Sequence, residues 1–193
     1  MSGALQLPEL MTLDEFLVWD APDGAMWQLI NGEPIAMAPA YPIHAVIQNR
    51  IGRRIEEHLD AKGTGCLTLA NPGVRLGIRA DNNFRIPDIG VTCSPLIPGD
   101  VFMPDPILLV EILFPSNQRE TWLNVWDYTT IASVREILVV RTAAIGAHLL
   151  RRNPDGSWPD VPANVEGDVV TLESIGISLP VKPLYADTPL AAA

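Results

Sequence analysis

The sequence predicts an α+β protein in which a mixed β-sheet is flanked by helices, and three observations predict this class. One segment carries isoleucine or leucine at every fourth position from Ile43 to Leu59, as in an amphipathic helix with one buried face. Short apolar runs separated by turn-rich segments follow, as in a sheet. The composition, 48% hydrophobic and 19% charged over 193 residues, is that of one globular domain. We therefore expect a single domain over residues 1–193, with its core at about 11–185 and flexible N-terminal and C-terminal ends.

Local signals position the elements that precede residue 65. Thr12 and Glu15 have the spacing of a capping box at a helix start. Asn31 and Gly32 form a strong turn signal for a hairpin, and Gly63 is a suitable stop for the long helix. The predicted elements are a short helix at 12–17, strands at 27–30 and 34–38, and the long helix at 42–61.

After Gly65 the pattern changes to short strands around one further helix. Turn-rich residues at 80–83 and 94–106 separate the apolar runs. The predicted strands lie at 66–70, 73–78, 84–93, 107–113, 136–141 and 147–151, and the predicted helix lies at 118–130. Short β segments continue to about Tyr185, and residues 190–193 are predicted to form a frayed tail.

Charge and cysteine content narrow the class of protein. The formal charge of −10 argues against binding nucleic acid by bulk electrostatics, because neutralising phosphates requires lysine and arginine. Cys66 and Cys93 show no metal-binding spacing, so we expect packed, reduced thiols. No stretch approaches the ~20 apolar residues of a membrane helix. Residues 1–10 lack the features of a signal peptide, so we expect a cytoplasmic location.

Glu111 is the most informative residue of the chain. It is the only charge in the most hydrophobic run, 107–113, which is typical of a buried central strand. Asp88 lies in a second apolar segment, 84–91. Burying a carboxylate costs several kcal/mol unless something compensates it. If the acid-bearing faces of the two strands converge, Asp88 and Glu111 would hold Mg²⁺ or Mn²⁺, which take carboxylate, water and phosphate oxygens.

A second interpretation of the same residues stays open at this point. Glu111 would instead pair with a buried arginine, either Arg75 or Arg85, and Asp88 would cap a turn. The stretch with Arg75, Arg79 and Arg85 is also the best local basic patch. These arginines either line a DNA groove or decorate a face of the sheet.

A series of motifs matches one known family in order and spacing over about 11–185. The motifs are 27–33, His44 on the following helix, 87–91, 109–113, Pro115-Ser116 before a helix that ends in Tyr128, and 133–136. Together they resemble the Uma2 family, formerly a domain of unknown function and placed in the PD-(D/E)XK nuclease superfamily. The resemblance implies a restriction-endonuclease-like core in which Asp88 and Glu111 ligate the metal for hydrolysis of DNA. It also implies a homodimer, because dimers are common in such families.

The sequence departs from the superfamily pattern at its lysine. The position two residues after Glu111 is Leu113, and the position four residues before Tyr128, where similar proteins carry the lysine, is Asn124. The lysine's expected tasks are to orient the attacking water, to lower the pKa of that water and to offset phosphate charge. Asn124 can position a water but carries no charge.

The resemblance adds weaker candidates around the two acids. Glu120 keeps an acid often found one turn before the lysine, and Gln28 replaces a frequent glutamate of the first strand. Glu33, just past the hairpin turn, is a candidate third acid. His44 is expected either to donate to a phosphate or to Glu33, or to be a structural residue at the helix start.

Two functions follow from these residues. The leading hypothesis is a metal-dependent endonuclease acting on DNA, with Asp88, Glu111, Asn124 and Glu33 in the catalytic set. The alternative is a catalytically degenerate nuclease fold that binds nucleic acid or a protein, which the missing lysine and the acidic charge favour. Retention of both buried acids favours the enzyme. An unrelated metal-dependent hydrolase would cleave small phosphate esters but not DNA.

Overall fold

A computed structural model describes residues 10–22, 24–165 and 168–192. The helices are α1 (Leu13–Leu17), α2 (Pro42–Lys62) and α3 (Gln118–Tyr128). The strands are β1 (Trp27–Ile30), β2 (Glu33–Ala36), β3 (Leu67–Ala70), β4 (Ile89–Thr92), β5 (Pro106–Leu113), β6 (Glu136–Arg141), β7 (Ala147–Arg151), β8 (Ala163–Val165), β9 (Val169–Leu172) and β10 (Ile177–Pro180). Short 3₁₀ turns lie at Ala80–Asn82, Pro115–Asn117, Lys182–Tyr185 and Pro189–Ala192. No helix within these ranges has the length and apolar character needed to cross a membrane.

Helix boundaries and the hairpin turn lie where the sequence predicts them. The Glu15 N–H donates to the Thr12 hydroxyl, and the Glu15 carboxylate accepts from the Thr12 N–H, which completes the capping box. Gly63 adopts a φ of 61°, the left-handed conformation that ends α2. Asn31 and Gly32 both have positive φ at the turn between β1 and β2.

Six strands form one mixed sheet in the order β3-β4-β5-β6-β7-β8. Strands β5 and β6 run parallel, and the other neighbours in this sheet run antiparallel. A parallel pair needs a long crossover, and α3 lies in that connection. The pairs β1-β2 and β9-β10 form separate two-stranded sheets. The predicted α+β class, a mixed sheet flanked by helices, is confirmed.

The two faces of the central strand β5 pack against different helices. Its alternate residues point to opposite faces of the sheet. Ile112 belongs to the cluster that contains Ile47 and Ile51 of α2. Leu109 belongs to the cluster that contains Val125 of α3. The apolar stripe of α2 and the apolar run of β5 are therefore both explained by burial in the same core.

The predicted strand at 84–93 is shorter in the structure. It begins only at Ile89, because the residues before it form isolated bridges to other segments and Pro87 has no N–H to donate to a ladder. Asp88 therefore lies immediately before β4 rather than within it. The segment 73–78 likewise forms isolated bridges instead of a strand.

The chain near its C-terminus also differs from the prediction. Residues Pro189–Ala192 form a 3₁₀ turn instead of a frayed tail. Leu190 packs against the cluster on the α2 side of the sheet, which holds this segment in place. The predicted flexible N-terminal end falls largely on residues 1–9, which lie outside the described residues.

The prediction of reduced cysteines is wrong in this structure. Cys66 and Cys93 form a disulfide, with their Cα atoms 3.9 Å apart. Leu67 pairs with Thr92 in the antiparallel register of β3 and β4, so Cys66, which precedes Leu67, lies opposite Cys93, which follows Thr92. Their separation of 27 residues in the chain gave no sign of this proximity, because it depends on strand register.

Candidate active site

The two acids singled out by the sequence meet where β4 begins and β5 ends. Ile89 pairs with Val110 in antiparallel register, so the residue before β4 lies opposite the next residue of β5. Asp88 and Glu111 are therefore neighbours, and the charge of Asp88 acts on the Glu111 carboxyl. The two residues are 8% and 7% exposed. Both carboxylates are recessed, as the apolar sequence around them predicts.

The Asp88 carboxylate is held by groups from two elements. The Ile112 N–H donates to Asp88 Oδ2 at 2.7 Å. His44 Nε2, in the first turn of α2, lies 3.1 Å from each carboxylate oxygen. Gln48, one helical turn further along, donates to the Asp88 carbonyl at 2.7 Å. His44 thus contacts Asp88, and not Glu33 as one interpretation expects.

The Glu111 carboxyl is held by a buried tyrosine. The Tyr128 hydroxyl, at the end of α3, donates to Glu111 Oε1 at 2.7 Å. Burial raises the pKa of Glu111 well above its usual value of 4.5, and the charge of Asp88 raises this pKa further. The hydrogen bond from Tyr128 acts in the opposite direction and lowers it. Burial and the neighbouring charge of Asp88 therefore both disfavour ionisation of the Glu111 carboxyl.

No arginine in the described ranges forms an ion pair with Asp88 or Glu111, so the interpretation in which Glu111 pairs with an arginine is wrong. Arg85 is 2% exposed and pairs with Asp127, with Nη2 and Oδ2 2.7 Å apart. The Arg75 guanidinium lies 4.4 Å from the centre of the Phe102 ring. Neither arginine forms an ion pair with Glu111 in the described part of the chain.

The positions of the missing lysine carry no positive charge in the structure either. Leu113 is buried on the same face of β5 as Glu111. Asn124 is half-buried on α3, one turn before Tyr128 and on the same face of the helix. Its side chain makes no hydrogen bond to any described residue. Lys62 donates to the Gly176 carbonyl at 3.1 Å.

Among the weaker candidates, Gln28 contacts the segment just before Asp88, whereas Glu33 and Glu120 do not contact the acids. Gln28 is buried, and its Oε1 accepts from the N–H of Ile86, two residues before Asp88. Glu33 and Glu120 are exposed, and no hydrogen bond or ion pair among the described residues joins them to the two carboxyls. The structure therefore does not bring Glu33 and Glu120 into contact with the acidic pair.

The contact between Tyr128 and Glu111 is not among the contacts that the sequence predicts. In the sequence, Tyr128 is only the end of a predicted helix and one of the residues that match the family. One signal was available, because a helix that joins two parallel strands must pack on one face of them. Glu111 shares its face with the leucines that pack on α3. A hydroxyl-bearing residue on that helix was thus a candidate partner for the buried acid.

The residues present fit a divalent cation. Mg²⁺ and Mn²⁺ are bound by one or two carboxylates, with waters and substrate phosphate in the remaining positions. Asp88 and Glu111 supply two carboxylates that repel each other when both are charged, and a cation would remove that repulsion. No group of three or more His, Cys, Asp or Glu side chains in the described ranges could hold a metal ion. The fit is therefore to a cation that completes its shell with water and substrate.

The chain is similar to one family model and to a protein of Synechocystis. The family model of Uma2, described as "Putative restriction endonuclease", matches residues 13–182. The protein slr1290 of Synechocystis, described as uncharacterized, is 27% identical over 176 residues, covering 89% of this chain and 90% of that protein.

A solved structure has a similar fold. It is described as "a putative nuclease belonging to DUF820" from Anabaena variabilis. The match has a TM-score of 0.74 at 18% identity and covers 91% of this chain and 98% of the other. At this identity the match establishes the fold alone, and it agrees with the nuclease-like core that the sequence predicts.

Proposed function

We propose that this chain, which belongs to the Uma2 family of restriction-endonuclease-like proteins, is a metal-dependent endonuclease that hydrolyses DNA phosphodiester bonds. The observation that carries the proposal is the recessed, adjoining pair Asp88 and Glu111. A fold that needed only stability would gain by replacing two mutually repelling buried acids with apolar residues. A buried carboxyl whose pKa is raised well above its usual value, as that of Glu111 is, is a mark of a functional site.

In this proposal Asp88 and Glu111 hold Mg²⁺ or Mn²⁺. The bound cation would supply an activated water and would offset charge on the phosphate. The protein's part is to fix the ligand oxygens before the substrate arrives. The Ile112 N–H and His44 fix Asp88, and the Tyr128 hydroxyl fixes Glu111.

Asn124 is the proposed replacement for the lysine. It lies on the face of α3 that carries Tyr128, and its amide makes no hydrogen bond to the described part of the protein. A free amide can orient an attacking water, although it cannot hold a proton or offset phosphate charge. Hydrolysis would therefore depend more heavily on the cation than in an enzyme with the lysine. Glu33 has no role in this proposal, because it is exposed and does not contact the pair.

The test is a cleavage assay on supercoiled and single-stranded DNA in Mg²⁺ or Mn²⁺. Asp88→Asn and Glu111→Gln keep the shape of each side chain and remove its charge, and Glu33→Gln is the matched control at an exposed acid. Cleavage by the wild type and by the control, lost in both site variants and in EDTA, is the expected result. Cleavage that persists in both site variants, or that needs no metal, would refute the proposal.

A second candidate function is a degenerate nuclease fold that binds nucleic acid or protein. The absence of positive charge at Leu113 and Asn124 favours it, because both positions available to the lysine are neutral. This candidate predicts well-folded protein that cleaves no DNA at high concentration in either metal. It also predicts that Asp88→Asn leaves partner binding unchanged.

The cytoplasmic location and the homodimer stay predictions. Disulfides persist mainly in oxidising compartments, so a disulfide between Cys66 and Cys93 in the cell would argue against the cytoplasmic location. Thiol titration of protein isolated under alkylating conditions would show whether the two cysteines are oxidised in the cell. Sedimentation equilibrium would give the number of subunits.

A further inference from the structure

A stacked pair of aromatic rings joins the two elements that hold the acidic pair. Tyr41 is the N-cap residue of α2, and Phe114 directly follows β5. Their ring centroids are 4.2 Å apart and the ring planes differ by 10°. Tyr41 precedes His44 by three residues, about 4.5 Å along a helix axis. Phe114 follows Glu111 by three residues, about 10 Å along a strand. The stack therefore lies at the same end of the sheet as the carboxyls.

The outer ring of this stack is open to solvent. Tyr41 is 55% exposed, whereas Phe114 is half-buried. The Tyr41 side chain makes no hydrogen bond to any described residue, so its hydroxyl does not fix it to the protein. Its ring is held in place by Phe114 on one side and leaves surface free for another flat group. An exposed aromatic ring of this kind is a platform for stacking a nucleobase.

The depth of the acids favours a flexible substrate over a stiff one. The Asp88 side chain is 11% exposed and Glu111 is 7% exposed. Duplex DNA is stiff, with a persistence length of about 50 nm, and must be bent or opened to enter a recess. A single strand can direct one phosphodiester inward while its neighbouring base lies against a side chain.

The negative net charge of the protein also favours a single strand over a duplex as the substrate. Duplex binding gains most of its affinity from phosphates neutralised by lysine and arginine. The protein has a formal charge of −10. In the stretch predicted as a basic patch, Arg85 is buried against Asp127 and Arg79 donates to Asn31 at 3.2 Å. The binding of a single strand depends less on neutralised phosphates than the binding of a duplex, and stacking on an aromatic ring adds affinity that does not come from them.

We infer that Tyr41, supported by Phe114, stacks an unpaired nucleobase, and that the substrate of the site is single-stranded or unpaired DNA. The stacked base would lie beside the acidic pair, so that an adjacent phosphodiester reaches Asp88 and Glu111. This inference rests on the proposed function, and it adds the class of substrate to it.

The test measures binding in EDTA, so that no hydrolysis takes place. Fluorescence anisotropy follows a labelled thymidine oligomer and a duplex of equal length with wild type, Tyr41→Ala and Tyr41→Phe. We expect the wild type to prefer the single strand and Tyr41→Ala to lose roughly 5- to 150-fold in affinity for it. Tyr41→Phe keeps the ring and should bind like the wild type. Trp126→Ala is the control, because it removes an aromatic residue 38% exposed on the face of α3 away from Tyr128.

Thermal unfolding of each variant shows whether it is folded at the temperature of the assay. Equal affinity of folded Tyr41→Ala and wild type for the single strand would overturn the inference, and so would tighter binding of the duplex. The cleavage assay tests the proposed nuclease function independently of this binding assay. If the protein cleaves DNA but Tyr41→Ala does not change binding, the proposed nuclease function stands and the stacking role of Tyr41 is wrong. If binding depends on Tyr41 but the protein does not cleave DNA, the stacking role stands and the nuclease function is wrong.

Discussion

Replacing Glu111 by glutamine tests the physical state of the acidic pair. The pKa of Glu111 in the folded protein is raised well above 4.5, by burial first and by Asp88 second. The folded protein therefore keeps a proton that the unfolded chain loses as pH rises through 4.5. Stability is then greatest at low pH and falls as pH rises toward the raised pKa. Glutamine has nearly the same shape and does not titrate, and its Oε1 can still accept from the Tyr128 hydroxyl.

The size of the effect follows from this linkage. Within the window between the two pKa values, the wild type loses about 1.4 kcal/mol of unfolding free energy per pH unit relative to Glu111→Gln. From pH 5 to pH 7 the variant gains up to about 2.7 kcal/mol. For a chain of this length that corresponds to roughly 5–11 °C in Tm.

The assay is urea unfolding of both proteins at pH 5, 6, 7 and 8 in EDTA. Glu56→Gln is the matched control, because Glu56 is exposed on α2 and has no ionic partner among the described residues. Its stability should differ from the wild type by the same small amount at every pH. A difference in stability between Glu111→Gln and wild type that does not change with pH would contradict a raised pKa of Glu111 in the folded protein.

Three further predictions concern the surroundings of the site. Tyr128→Phe removes the donor to a buried carboxyl and should cost about 1–3 kcal/mol in urea unfolding, with weaker Mn²⁺ binding in calorimetry. Arg85→Met leaves the Leu29 carbonyl and the partly exposed Asp127 without their donor and should cost about 1–3 kcal/mol. The double variant Arg85→Met/Asp127→Asn should recover part of that loss, and equal stability of the two variants would contradict the ion pair. Replacing Cys66 and Cys93 by serine opens a loop of 27 residues and should cost about 3.5 kcal/mol. Dithiothreitol should lower the Tm of the wild type to about that of the serine variant and should leave the Tm of the serine variant unchanged.

The elements that the sequence predicts well are those with a local signal. The long helix has an apolar residue at every fourth position and a glycine stop, and the structure places α2 at Pro42–Lys62. The apolar run around Glu111 becomes β5 at Pro106–Leu113. The two acids also lie side by side, which is the condition under which the sequence predicts a shared metal site. A buried charge in an apolar run is costly wherever it occurs, so its importance is visible without knowing the fold.

The features that escaped prediction depend on contacts between distant segments. The strand expected at 84–93 begins at Ile89, because the pairing of the residues before it is decided by other segments. The Cys66–Cys93 disulfide depends on the register of β3 and β4. The choice of Asp127 over Glu111 as the partner of Arg85 depends on where α3 packs. None of these contacts leaves a pattern in a short window of sequence.

Titrating Mn²⁺ into the protein in a calorimeter shows whether Asp88 and Glu111 together hold a divalent cation. We expect one site in the wild type, with tighter binding at higher pH because protons compete with the metal for the carboxylates. We expect this site to be lost in Asp88→Asn and in Glu111→Gln and retained in Glu33→Gln. No site in well-folded wild type, or a site that survives in both carboxyl variants, would mean that the two carboxyls do not hold the cation.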